Sequence, residues 1–224
     1  MPRNYKKILI IAVIYGNYIT GLHIAMKFTR RLLISALFLG WIFGSGAQAG
    51  TVVVLDPGHG GRDGGTRWAG VSEKTLTLSI ARKVEGILKS RGIATAMTRR
   101  SDVYRSLESR AAVANGFKKS IFVSIHCNAD PEHEARGIET FYCGARGASL
   151  ASSIHRTLDC RTSTPNRGLK FTGFSVLRRT TCPAALVECG FLTSKTERNL
   201  LTTPAYQDRV ARAIADGITS SLKR

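Results

Sequence analysis

Acidic side chains are scarce in this sequence: 15 Asp and Glu stand against 33 Lys and Arg, giving a formal net charge of +18 over 224 residues. Residues 1–49 hold six of the basic residues and none of the acidic ones, which leaves a surplus of +12 on residues 50–224. Such a surplus draws anions to the surface. The basic residues are scattered rather than gathered into blocks, so no nucleic-acid partner is expected, and an anionic cell-wall or membrane surface fits better. Cysteine is sparse as well, with five residues and no C-x-x-C spacing among them. The odd count leaves at least one thiol unpaired, and any disulfide would use two of Cys143, Cys160 and Cys182. No H-E-x-x-H motif, internal repeat, second domain or separate wall-binding module is visible.

Long apolar runs are missing too. The stretch from Ile8 to Ala25 is broken by Asn17, Tyr18, Thr20 and His23, a marginal span against the ~20 apolar residues a bilayer needs. Lys27, Arg30 and Arg31 then precede the short apolar run Leu32 to Phe43, and Ala47-Gln48-Ala49 closes it. A basic start, a short apolar core and a small-x-small end describe a secretory signal peptide over residues 26–49. Residues 1–25 then read as an upstream extension, either an over-called start with Met26 as the initiator or a membrane anchor. Residues 50–224 form the exported domain, periplasmic or secreted and wall-associated, and are enough for one sizeable core.

Within that domain, apolar runs alternate with helical stripes. Thr51 to Leu55 reads as a buried strand followed by the glycine-rich stretch 60–70, a loop free to approach a ligand. Ser72 caps a helix whose stripe is Leu76, Ile80, Val84, Ile87 and Leu88, and Gly92 ends it. Ile93 to Thr98 is a strand, Ser106 to Asn115 a helix, and Ser120 to Ile125 and Ile138 to Tyr142 are strands. Leu150, Ile154 and Leu158 mark a further helix. Residues 161–173 read as loop, Phe174 to Leu177 and Ala184 to Val187 as short strands, and Tyr206, Val210, Ile214, Ile218 and Leu222 as the last helical stripe. The pattern predicts a single three-layer α/β domain whose central sheet, largely parallel or mixed, is flanked by helices.

Three strand ends deliver chemistry, which is where open α/β sheets place it. The first leads into Asp56-Pro57-Gly58-His59, the second delivers His126, and the third delivers Glu188. His59, Glu73 and His126 are residue types that bind zinc in catalytic sites, where three protein ligands leave one position open. Singly, each has a plainer reading: a histidine at a strand end is commonly a hydrogen-bonded loop residue, and Glu73 favours its helix dipole. Glu188 is harder to dismiss, because an unpaired carboxylate in an apolar run costs several kcal/mol to bury. Cys127 and Cys189, next in sequence to His126 and Glu188, point to the other face of the sheet and fill the core. His133 and His155 are expected at the surface.

The ordered stretches are Asp56-Pro57-Gly58-His59-Gly60-Gly61 with Asp63 and Gly64, Glu73-Lys74 with Leu76 and Leu78, Thr98-Arg99 with Asp102, and Arg110 with Ala114-Asn115. They continue as Ser124-Ile125-His126 with Asn128, Gly137-Ile138-Glu139-Thr140, and Val187-Glu188 with Gly190-Phe191-Leu192. On these residues, from about Thr51 onward, the sequence resembles the zinc-dependent N-acetylmuramoyl-L-alanine amidases of the type-3 amidase family. The resemblance implies that His59, Glu73 and His126 hold Zn2+ and that Glu188 is the catalytic carboxylate. It also implies that peptidoglycan is the substrate, cut at the amide between the lactyl group of N-acetylmuramic acid and L-alanine. Gly64, Ser72, Cys127 and Cys189 depart from the residues common in the family without removing a ligand. Some relatives carry a helical plug after the Ser-Ile-His-x-Asn stretch; here only Ala129 to Arg136 separate Asn128 from Gly137. Neither an autoinhibitory helix nor an obligate activator is therefore expected. The competing readings are a zinc carboxypeptidase or endopeptidase acting on wall peptides, and an inactive wall-binding protein.

Overall fold

The computed structural model describes residues 50–223. In chain order these form β1 (Val52–Pro57), β2 (Arg67–Trp68), β3 (Val71–Ser72), α1 (Glu73–Ser90), β4 (Thr95–Met97), α2 (Leu107–Asn115) and β5 (Ser120–Asn128). The chain continues through β6 (Ile138–Tyr142), α3 (Ala145–Arg161), β7 (Asn166–Phe171), α4 (Ser175–Arg178), β8 (Ala184–Phe191), α5 (Lys195–Leu201) and α6 (Pro204–Leu222). The upstream extension and signal peptide read over residues 1–49 lie outside the described residues. No helix among the described residues is long and apolar enough to cross a membrane.

Six strands make one sheet in the order β4-β1-β5-β8-β6-β7. β4, β1, β5 and β8 run parallel, β6 is antiparallel to β8, and β7 runs parallel to β6. The side-chain period of two divides the sheet into faces. Val53, Leu55, Ile121, Val123, Ile125, Ala185 and Val187 face the larger core with the stripes of α1, α3 and α6. Val54, Phe122, Ala184 and Leu186 face a smaller cluster under α2 and α4. The result is the predicted three-layer α/β domain.

Helix ends follow local chemistry. Glu73 sits in the first turn of α1 and Lys89 in its last, each favouring the dipole at its end. Gly92, at φ +72, follows the cap. Ser106, Ser194 and Thr203 cap α2, α5 and α6 by accepting backbone N–H bonds. Ser72 precedes α1 at the cap position but makes no capping bond; its hydroxyl donates to the Gly64 carbonyl instead.

Several sequence expectations need correction. Residues 161–173 are not all loop: Asn166–Phe171 form the edge strand β7, whose mostly exposed residues gave no apolar run to read. Phe174 to Leu177 is no strand but the approach to and first part of the one-turn helix α4. The short helix α5 was not anticipated. His155 is buried rather than exposed, held between the Thr140 hydroxyl and Asn166 Oδ1 at 3.0 and 2.8 Å. All five cysteines are free thiols, with Cys127 and Cys189 buried as expected.

Candidate metal centre and active site

The strand β1 ends in Asp56-Pro57, and the chain then turns sharply. Gly58 is required there by a close approach: a Cβ on it would lie 2.3 Å from the His126 ring. His59 follows with φ +60, a left-handed conformation that costs a non-glycine residue on the order of 1 kcal/mol. Two buried guanidinium groups hold this bend. Arg110 donates to Asp56 Oδ1 and the Pro57 carbonyl, both at 2.8 Å, and to the His59 carbonyl at 2.7 Å. Arg99 donates to the Pro57 and Gly58 carbonyls at 3.0 and 2.8 Å. The buried Asp56 carboxylate also accepts from Thr98 and Ser124, so its charge is fully hydrogen-bonded.

His59, Glu73 and His126 converge. Their nearest ligand atoms all lie within 4.8 Å of one another. Glu73 Oε1 is 3.1 Å from His59 Nε2 and 2.9 Å from His126 Nδ1. The two imidazoles meet edge to face, with ring centroids 4.9 Å apart. His59 Nδ1 lies 2.9 Å from both oxygens of Asp63, so a proton donated there leaves the Nε2 lone pair facing the cluster. Glu73 Oε2 accepts from the Thr66 amide at 2.8 Å. Burial alone would raise the Glu73 pKa, but hydrogen bonds and charge from His126 and His59 hold it far below the carboxylate norm. Two imidazoles and an ionised carboxylate, brought by a loop, a helix start and a strand end, are a donor set that could hold a divalent metal ion.

Glu188 faces the same place from β8. It is the register partner of His126 on β5 and, on its other side, of Glu139 on β6. Its Oε2 is closed off from solvent and has no hydrogen-bond partner among the described residues. Burial, then the charges of Glu73 and Glu139, push its pKa well above the ordinary carboxylate value. Glu139 is by contrast neutralised: Arg167 and Lys170 each approach its Oε1 at 2.6 Å, and Asn128 donates to its Oε2 at 2.8 Å.

His59, Glu73, His126 and Glu188 share one open cleft of about 430 Å3 at the carboxyl ends of the strands. A larger cleft, about 660 Å3, opens at the other end of the sheet around Lys118, Lys119 and Arg146. It contains neither carboxylate nor imidazole, so size is a poor guide here and the acid–base chemistry belongs to the smaller one. All four residues singled out from the sequence are thus brought together. Three supporting elements had no role assigned from sequence alone. Asp63 stands four residues after His59, a spacing that signals its partner; the clamp of Arg99 and Arg110 and the apolar cleft residues Leu107 and Phe174 have no such local signature.

With this geometry in place, comparison with known proteins gives the class. The model of the N-acetylmuramoyl-L-alanine amidase family, type 3, matches residues 53–220, and the chain belongs to that family. The chain is 32% identical over 190 residues to the germination-specific N-acetylmuramoyl-L-alanine amidase of Bacillus subtilis, covering 76% of this chain and 79% of that one. It is 34% identical over 175 residues to the N-acetylmuramoyl-L-alanine amidase LytC of the same organism, where the match covers 76% of this chain but only 35% of the relative. Among solved structures, the catalytic domain of the amidase CwlV from Bacillus (Paenibacillus) polymyxa superposes with a TM-score of 0.75 at 38% identity, covering 77% of this chain and 98% of that one.

Proposed function

We propose that this chain is a zinc-dependent N-acetylmuramoyl-L-alanine amidase that hydrolyses the amide between the lactyl group of N-acetylmuramic acid and L-alanine in peptidoglycan. The observation that carries this reading is the buried, unpartnered Oε2 of Glu188, opposite His126 and beside the His59, Glu73 and His126 cluster. A carboxylate left without a partner in that position is poised to take a proton.

His59, Glu73 and His126 would hold the zinc, which would supply Lewis acidity for the scissile carbonyl and for the attacking water. Glu188 accepts the proton of the attacking water and returns it to the departing amine of L-alanine. A cation held by those three residues would favour the ionised form of Glu188, against the burial and neighbouring carboxylates that raise its pKa. Asp63 fixes the His59 ring and its tautomer, and Arg110 holds the carbonyl of the same residue. The basic surplus of residues 50–224 favours an anionic wall surface, and the candidate signal at residues 26–49 favours action in the periplasm or outside the cell. With only residues 129–136 between Asn128 and Gly137, nothing there is long enough to plug the cleft, so the enzyme works without an activator.

Digestion of purified peptidoglycan with and without a chelator, followed by mass analysis, tests the reading. Intact glycan strands and peptides beginning with L-alanine are expected only when the metal is retained. Peptides cut at internal bonds would instead identify a peptidase. Binding to wall sacculi should weaken steeply as salt rises.

A further inference from the structure

The cleft lining is mixed: His59, Thr66 and Asn128 bring polar groups, and Leu107, Phe174, Val176 and Leu186 bring apolar ones. Leu107 and Phe174 are large apolar side chains left 48% and 41% exposed. Scattered exposed leucines need no explanation, but these two line the same cleft as Glu188. Neither is loose. Leu107 is the first residue of α2, fixed by the Ser106 cap. Phe174 precedes α4, its ring 5.1 Å from that of Phe141, and its carbonyl accepts from the Arg178 amide at 3.0 Å. Helices α2 and α4 pack against each other over the sheet face that carries Leu186, and Leu186 stands two residues before Glu188 on β8, so both side chains emerge on that face.

We infer that Leu107 and Phe174 form an apolar subsite for the methyl groups that flank the scissile amide, and so set the specificity of the reaction. The inference rests on the amidase reading. The proposed bond joins a lactyl group to L-alanine, and each side of it carries one methyl. Those methyls are the substrate's apolar groups nearest the reacting carbon, and Leu107, Phe174, Val176 and Leu186 are the large apolar side chains of the cleft that holds Glu188. The polar lining groups, Thr66 and Asn128 among them, are left for the amide itself.

The test compares muramyl peptides carrying L-alanine or glycine after the lactyl group, with the metal-loaded protein. One missing methyl in an apolar pocket is worth about tenfold or more, so the unaltered protein is expected to prefer alanine by at least that factor in kcat/KM. Phe174→Ala should erase most of the preference by raising KM for the alanine substrate, leaving kcat and zinc content unchanged, because binding common to ground and transition states has been removed. Phe174→Leu should restore it. Leu107→Ser, at a nearly half-exposed position, makes the same comparison without disturbing the Phe141 contact. An alanine-to-glycine ratio unchanged in either folded variant overturns the subsite, as does its absence in the unaltered protein. Failure to release a peptide beginning with L-alanine from the first substrate or with glycine from the second would instead count against the amidase reading.

Discussion

His126 and Glu188 are direct partners in the parallel pairing of β5 with β8. Because side chains alternate along a strand, both emerge on the face opposite Cys127 and Cys189, which are packed in the larger core. One residue of slip between these strands would separate the pair, so the register itself is part of the active site.

Replacing Glu188 by Gln keeps the shape and removes the proton acceptor. We expect metal content to be unchanged and turnover to fall by about 10²- to 10⁴-fold. Parallel measurement of bound zinc and of peptide release decides it; loss of the metal along with the activity would contradict the assigned role.

Asp63 is 43% exposed on its side chain, so its loss should barely change stability. Its contact with His59 nevertheless predicts a fall of about 10- to 100-fold in zinc affinity for Asp63→Ala, read by competition with a chelator.

Arg110 presents the opposite balance. Arg110→Met would leave the Asp56 carboxylate buried without its ion-pair partner, at a cost of about 3–5 kcal/mol in urea unfolding. Adding Asp56→Asn should recover part of that loss, since the stranded charge goes with it. A double variant no more stable than the single one would show that the clamp on the backbone carbonyls, not the ion pair, carries the stability.

The pH dependence of stability should reverse on metal binding. Burial lowers the His59 pKa, but hydrogen bonds and charge from Glu73 and Asp63 outweigh it and leave the group raised. A raised group stabilises the metal-free protein fully below its unfolded pKa, near 6.5, and that contribution fades as pH climbs through the folded value. Metal binding needs the neutral imidazole and so strengthens as pH rises. The gap in Tm between loaded and chelated protein should therefore widen from about pH 6 to pH 8; a narrowing gap would contradict the ligand assignment.

Much of this site was legible in the sequence because chemistry interrupts apolar runs: one stops shortly before His59, and two others stop at His126 and Glu188 although their strands run on to Asn128 and Phe191. Burial on both faces made β1, β5 and β8 readable as apolar runs. The edge strand β7 has no such pattern, since an exposed strand need not be apolar. His155 was misplaced for a related reason: a helix position that looks polar can be buried when the Thr140 hydroxyl and the Asn166 amide oxygen meet its ring. The Arg99 and Arg110 clamp joins groups some forty to fifty positions apart, and no spacing rule reaches that far.

On paper the glycines between β1 and α1 suggest slack. In the folded chain, Gly58 lies against the His126 ring, and a Cβ on Gly65 would come within 2.5 Å of Glu73 Oε2 and 2.6 Å of the His59 ring. These positions are a cast of the three side chains around them, their shape impressed as missing atoms. Saturation mutagenesis would find them behaving like ligands, intolerant even of alanine, although neither contributes a donor atom.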